Sequence, residues 1–174
     1  AGEVVSFNGD TSEIDASVTP DAKVAARVAE LAKPLDDIRK EVVGETTVPI
    51  DGSRETCRAQ ECTMGVLVAD AMLDRVASQG VQIAIQNGGG LRSSIDEGPV
   101  TMGEVLTVLP FQNTLSTFQL SGKDVLAALE NGVSQVEEGA GRFPQVAGIR
   151  YTADFSAPAG ERIKSVEVGD DGSW

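Results

Sequence analysis

Val81-Gln82-Ile83-Ala84-Ile85-Gln86 runs directly into Asn87-Gly88-Gly89-Gly90-Leu91-Arg92, and the reading of this junction decides the fold. The first six residues have the composition of a short apolar strand, and the next six form a glycine-rich exit from it. Glycines at such an exit let the backbone approach a ligand closely and turn its N–H groups outward. The run is not the dinucleotide pattern G-x-G-x-x-G, since Ser93 follows and no acid stands at the required spacing. Nor does it carry the lysine and hydroxyl residue that close a P-loop. Taken alone, its first reading is a tight strand-to-loop turn and its second a ligand-facing loop.

Upstream, Gly80 stops a helix that Thr63 is placed to cap, with Leu67, Val68, Ala71, Met72 and Val76 on its buried side. Thr46 to Ile50 reads as a strand. Thr19-Pro20-Asp21 opens an earlier helix with a hydroxyl cap, a first-turn proline and an acid at the positive dipole end. Its apolar stripe is Val24, Val28, Leu31, Leu35, Ile38 and Val42; Pro34 predicts a kink near Leu31, and Gly44 ends it. Such a stripe packs on its own domain or on a partner. Residues 1–20 are polar, with one strand-like run from Glu3 to Phe7, and read as a lead-in; residues 21–174 form the domain.

Downstream, Thr101 and Glu104 form a capping box for a helix ending before Pro110. Thr114 to Leu120 reads as a strand, Ser121 to Asp124 opens a further helix, and strands follow at Ile149–Phe155 and Ile163–Val168. Helices alternating with short strands, plus a late strand pair, give an α+β chain arranged as a mixed α/β sandwich. Gly169-Asp170-Asp171-Gly172 is hairpin-turn chemistry with only Ser173-Trp174 after it, so the domain is expected to be incomplete at its C-terminus.

Composition limits the chemistry. The 174 residues include no histidine, which removes Ser-His-Asp and Cys-His nucleophiles, histidine-bearing zinc sites and the commonest neutral-pH base. The formal charge is −13, from 27 acids against 14 bases, a field that opposes nucleic-acid binding. No run of 18 apolar residues suits a membrane span. Cys57 and Cys62 are too few for a zinc site without other ligands, and spacing alone leaves two free thiols and a local bridge both open.

Three places are suited to chemistry: the glycine run with Asn87, Gly90 and Arg92; Arg54 and Arg58 around the first cysteine; and Pro110-Phe111-Gln112-Asn113. Arginine forks suit phosphate or ribose oxygens, Phe111 suits the face of a planar ring, and Asn87 and Asn113 suit its polar edge. Each has a plainer reading as surface or core. Together they fit a planar base on a phosphorylated sugar.

Four motifs occur in order: Cys57-Arg58-Ala59-Gln60-Glu61-Cys62-Thr63-Met64-Gly65, Asn87 to Arg92, Val108 to Asn113, and Gly141-Arg142-Phe143-Pro144-Gln145-Val146-Ala147-Gly148. In these the sequence resembles the C-terminal domain of the 5′-nucleotidase / UDP-sugar hydrolase family of exported metallophosphoesterases. The resemblance implies a substrate-binding domain acting in nucleotide catabolism. Its own N-terminal metallophosphoesterase domain would hold a divalent metal pair, while this chain carries no cofactor. It implies a nucleoside or nucleotide ligand: Arg54, Arg58 and Arg92 on phosphate and ribose oxygens, Asn87 on the base, Phe111 stacking with Asn113 beside it, and Gly90 allowing close approach. It also implies a Cys57–Cys62 bridge and a periplasmic or extracellular location. The parent would be a phosphoric monoester hydrolase and the isolated fragment inactive.

The family's second stacking phenylalanine and its Gly-Gly-Asp-Gly segment have no counterpart here. Thr63 and Val66 stand where many members have asparagine, and Gln112 where many have glycine. Alternative expectations are a dimerisation or interaction module working through the Val24–Val42 stripe, or a related cyclic-nucleotide phosphodiesterase, 3′-nucleotidase or sulfur-ester hydrolase domain.

Overall fold

The computed structural model describes residue 6 and residues 9–169, and the chain divides into two units, Ala1–Asp37 and Ile38–Trp174. Of the expected features, most of the strand-like run at Glu3–Phe7 and the turn residues from Asp170 onward lie outside the described residues.

Helix α1 (Ala22–Lys40) crosses that division. Its cap is Asp21, whose Oδ1 accepts from the backbone N–H groups of Lys23 (2.9 Å) and Val24 (3.0 Å), in place of the expected Thr19. A carboxylate serves here both as hydrogen-bond acceptor and as a charge at the positive helix end. Pro34 lies inside α1 without dividing it, and the helix ends at Lys40 rather than Gly44. No residue of α1 is buried.

In the second unit, β1 (Val42–Thr46) pairs antiparallel with β3 (Gly98–Thr101). The strand therefore starts four residues before the expected one, and Gly44 sits within it opposite Val100. Ile50 makes only an isolated bridge to Ile95. After α2 (Arg54–Cys57), helix α3 (Thr63–Val76) leads through a short 3₁₀ turn to Gly80 at φ 73°. The N-cap of α3 is Cys62, not Thr63: its Sγ accepts from the Gly65 N–H at 3.3 Å. The buried face of α3 is Met64, Gly65, Ala69 and Val76, whereas Leu67 and Ala71 are exposed. The expected stripe is rotated because the sheet strands approach over the small residues Gly65 and Ala69.

Strand β2 (Ala84–Asn87) pairs antiparallel with β4 (Pro144–Ala147), a strand that the sequence pattern does not assign. Helix α4 (Met102–Val108) carries the expected capping box and ends before Pro110. Helix α5 (Gly122–Val133) carries a second one from Ser121 and Asp124. Strands β5 (Ile149–Ala153) and β6 (Ile163–Val168) form the late antiparallel pair. The buried Arg162 ties this pair to α5, donating to Val133 O at 2.6 Å and pairing with Glu137. Burial of a guanidinium is tolerable only with such partners.

The expected strand at Thr114–Leu120 is absent; residues 112–121 have no regular structure, and none of the described strands pairs with them. A β pattern needs a neighbouring ladder to satisfy its N–H and C=O groups. The core has two foci. One gathers Cys57, Cys62, Met64, Leu91, Ile95 and Val108; the other joins Ala69 to Ala84 and Ala147, where α3 meets the β2–β4 ladder.

Candidate functional site

The site is built from three loops, two of which contact the segment leading into and forming β4. The first follows Asp51, whose carboxylate accepts from the Ser53 N–H at 2.9 Å and from Ser94 Oγ at 3.4 Å. Those Ser53 bonds, with Thr56 and Ser94 adding to them, hold the Asp51 carboxyl below its ordinary range. Further along the loop, Cys57 and Cys62 form a disulfide, S–S 2.05 Å with Cα atoms 5.1 Å apart, closing a loop of local reach. Arg54 opens α2 and is exposed, while Arg58 directly follows α2 and is half-buried.

Arg58 is the electrostatic centre of the loop. Its Nη1 donates to Gly139 O at 3.2 Å, and its buried Nε has no hydrogen-bond partner. Burial lowers its pKa first, and the neighbouring charges of Arg54 and then Arg92 lower it further, with Glu55 opposing. Arg54 and Arg92 thus both lie within charge range of Arg58, in a chain of charge −13. Crowded like charges with an unsatisfied donor are stabilised by an anion.

The second loop is the glycine run, a single 3₁₀ turn over Gly88–Gly90. A Cβ on Gly88 would strike the Cys57 carbonyl, and one on Gly90 would strike the Gln86 amide. Close approach is therefore required at Gly88 by the protein's own backbone, whereas at Gly90 the neighbour is the end of a side chain. Asn87 Nδ2 donates to Gly141 O at 3.0 Å, so half of its amide donor capacity is committed internally. Arg92 is exposed and donates to Gly89 O at 3.3 Å, while its backbone N–H is held by Val108 O at 3.0 Å.

The third loop follows α4. Phe111 is 56% exposed, and the Arg92 guanidinium carbon lies 5.7 Å from its ring centroid. That cation–π pair joins the arginine group to a cavity of about 190 Å³ lined by Gly90, Phe111 and Asn113, with Gln86 and Gln112 supplying further amides. An adjoining groove of about 350 Å³ between α3 and α4 is almost wholly apolar.

Of the sequence-derived candidates, Gly90, Phe111 and Asn113 share the cavity wall. Arg54, Arg58 and Arg92 form the neighbouring charged group. Asn87 does not line the cavity; it braces Gly141. Gln86 and Gln112 were missed by the sequence reading. Gln86 immediately precedes the glycine run, and Gln112 lies between the two chosen residues Phe111 and Asn113. Gln112 also has φ 52°, the one positive value among described non-glycine residues. Among the described residues no three His, Cys, Asp or Glu side chains gather as a metal site, so the residues present do not fit a metal pair. No described helix is long and apolar enough to cross a membrane.

The architecture is an α+β domain in which an arginine group adjoins a cavity walled by one aromatic ring and several amides. A family model described as "5'-nucleotidase, C-terminal domain" matches residues 42–173, and the chain belongs to that family. It is 45% identical over 150 residues to the trifunctional nucleotide phosphoesterase protein YfkN of Bacillus subtilis (strain 168), covering 86% of this chain and 10% of that protein. It is 34% identical over 177 residues to the 5′-nucleotidase of Homo sapiens, covering 96% of this chain and 31% of that one. The crystal structure of a 5′-nucleotidase precursor from Thermus thermophilus aligns at TM-score 0.81 and 46% identity, over 88% of this chain and 31% of that chain. The chain spans a third or less of the length of these relatives.

Proposed function

We propose that this domain binds the substrate of an exported 5′-nucleotidase-type phosphohydrolase, gripping a nucleoside or nucleotide for hydrolysis in a separate N-terminal metallophosphoesterase domain. The reading places the base in the cavity against the free face of Phe111, with Asn113, Gln86 and Gln112 offering amides to its edge. The arginines take the anionic end: Arg92 beside the ring, then Arg58 and Arg54. The phosphate ester would be cleaved by water at a divalent metal pair held by that other domain. This chain's contribution is orientation, and no bond-breaking step falls to its residues. Export to a periplasmic or extracellular space agrees with a disulfide-bonded loop.

The observation that carries the proposal is the single Arg92–Phe111 junction, which sets a guanidinium group over one side of an exposed aromatic ring. Calorimetric titration tests it. AMP is expected to bind more tightly than adenosine, because only AMP brings a phosphate to the arginines. Phe111→Ala is expected to weaken both by the worth of one base–aromatic stack, about 1–3 kcal/mol. Equal affinities for AMP and adenosine, or no effect of Phe111→Ala, would overturn the reading.

A further inference from the structure

The first two loops of the site meet on the segment that leads into and forms β4. Gly139 O accepts from Arg58, and Gly141 O accepts both the Gly89 N–H at 2.8 Å and the Asn87 amide. Gln145, in β4, is 1% exposed and reaches across to the disulfide loop. Its Nε2 donates to Cys57 O at 3.0 Å and Gln60 O at 2.8 Å, and its Oε1 accepts from the Cys62 N–H at 3.1 Å. One carboxamide thus satisfies three backbone groups within six residues of loop, from the far side of the sequence. The opposite wall is shaped to match: a Cβ on Gly65 would fall on the Gln145 amide, so α3 carries glycine where that side chain passes.

The geometry points to Gln145 as the positioning residue for Arg58, the role resting on the anion-binding reading of the arginines proposed above. The disulfide closes the loop on itself and packs into the core beside α3, but neither sulfur is bonded to β4. Gln145 fixes both the Cys57 and Cys62 ends against β4, and β4 pairs with the strand that ends at Asn87. The guanidinium of Arg58 is thereby held in register with the glycine run and Arg92. Gln145 touches no ligand and acts only through the loop.

The test separates the two halves of the ligand. In Gln145→Met, which keeps the length and apolar volume but offers no hydrogen bonds, AMP is expected to bind about 10-fold or more weakly, as for one lost bond to a charged group. Adenosine affinity is expected to stay within about 2-fold, since Phe111 and Asn113 are untouched. A merely structural role would weaken both ligands alike, and that result overturns the proposal. So does retention of the wild-type AMP-to-adenosine ratio. If wild type itself fails to prefer AMP, the anion-binding reading falls, and this role with it.

A second arm needs no variant. Reduction of the Cys57–Cys62 bridge in wild type is expected to leave the chain folded by circular dichroism and AMP affinity within about 3-fold, because Gln145 still holds the loop. Loss of AMP binding or of the fold on reduction would assign the positioning to the disulfide and overturn the proposal, including where Gln145→Met does not fold.

Discussion

Gln112 shows how much a single residue can disclose. An L residue at φ 52° carries a steric penalty of about 1–2 kcal/mol that glycine avoids, while glycine has a larger unfolded-state entropy worth about 0.5–1 kcal/mol. Gln112→Gly is therefore expected to raise stability slightly, by about 0.5 kcal/mol, read as a higher urea midpoint at unchanged slope. A loss of more than about 1 kcal/mol would instead show that the Gln112 side chain holds the loop in place. Glutamine itself carries no signal for a left-handed backbone; the glycine that many members of the family have at this position was the one hint of it. Phe111 was legible as a candidate because a large ring stood between a helix end and an amide, outside any apolar stripe. The arginines were visible as residue types, but their grouping was not: Arg54 and Arg58 are brought to Arg92 by the meeting of two loops on Gly139–Gln145.

At the scale of elements, legibility followed the range of the forces. The capping box of Thr101 and Glu104 and the helix start at Ser121 to Asp124 could be read directly, because their partners lie within three residues. Strand pairing is long-range, which is why β3 and β4 were missed and why Thr114–Leu120 was assigned a strand that finds no partner. The capping box of α4 also gives a pH prediction. Bonds from the Thr101 backbone and hydroxyl hold the Glu104 carboxyl below its ordinary value of 4.5. A group whose pKa falls on folding stabilises the fold above its unfolded pKa, and that contribution disappears as pH drops through the folded value. Glu104→Gln keeps the bonding pattern and removes the charge. Wild type should therefore be more stable than Glu104→Gln at pH 7, with the gap closing steadily below pH 4.5. A gap that does not narrow as pH falls below 4.5 in paired urea titrations would sink this account of the cap.

For the whole molecule, the charge of −13 and the arginine group act on a nucleotide at different distances. AMP carries roughly two negative charges at neutral pH, so the acidic surface repels it before the arginines are within reach. The Debye length falls from about 30 Å at 0.01 M salt to about 8 Å at 0.15 M. Screening on that scale removes the long-range repulsion first and weakens the short, partly buried arginine contacts less. The AMP association rate is accordingly expected to rise between about 0.01 and 0.15 M salt, while that of uncharged adenosine stays flat. Its dissociation rate should rise as well, leaving the equilibrium affinity only weakly salt-dependent. Stopped-flow binding with both ligands would check this. An AMP association rate that falls with salt would mean that the Arg54, Arg58 and Arg92 group steers the ligand from a distance, against the net charge. The surrounding acids would then have to be arranged away from that face, a distribution that the formal total does not express.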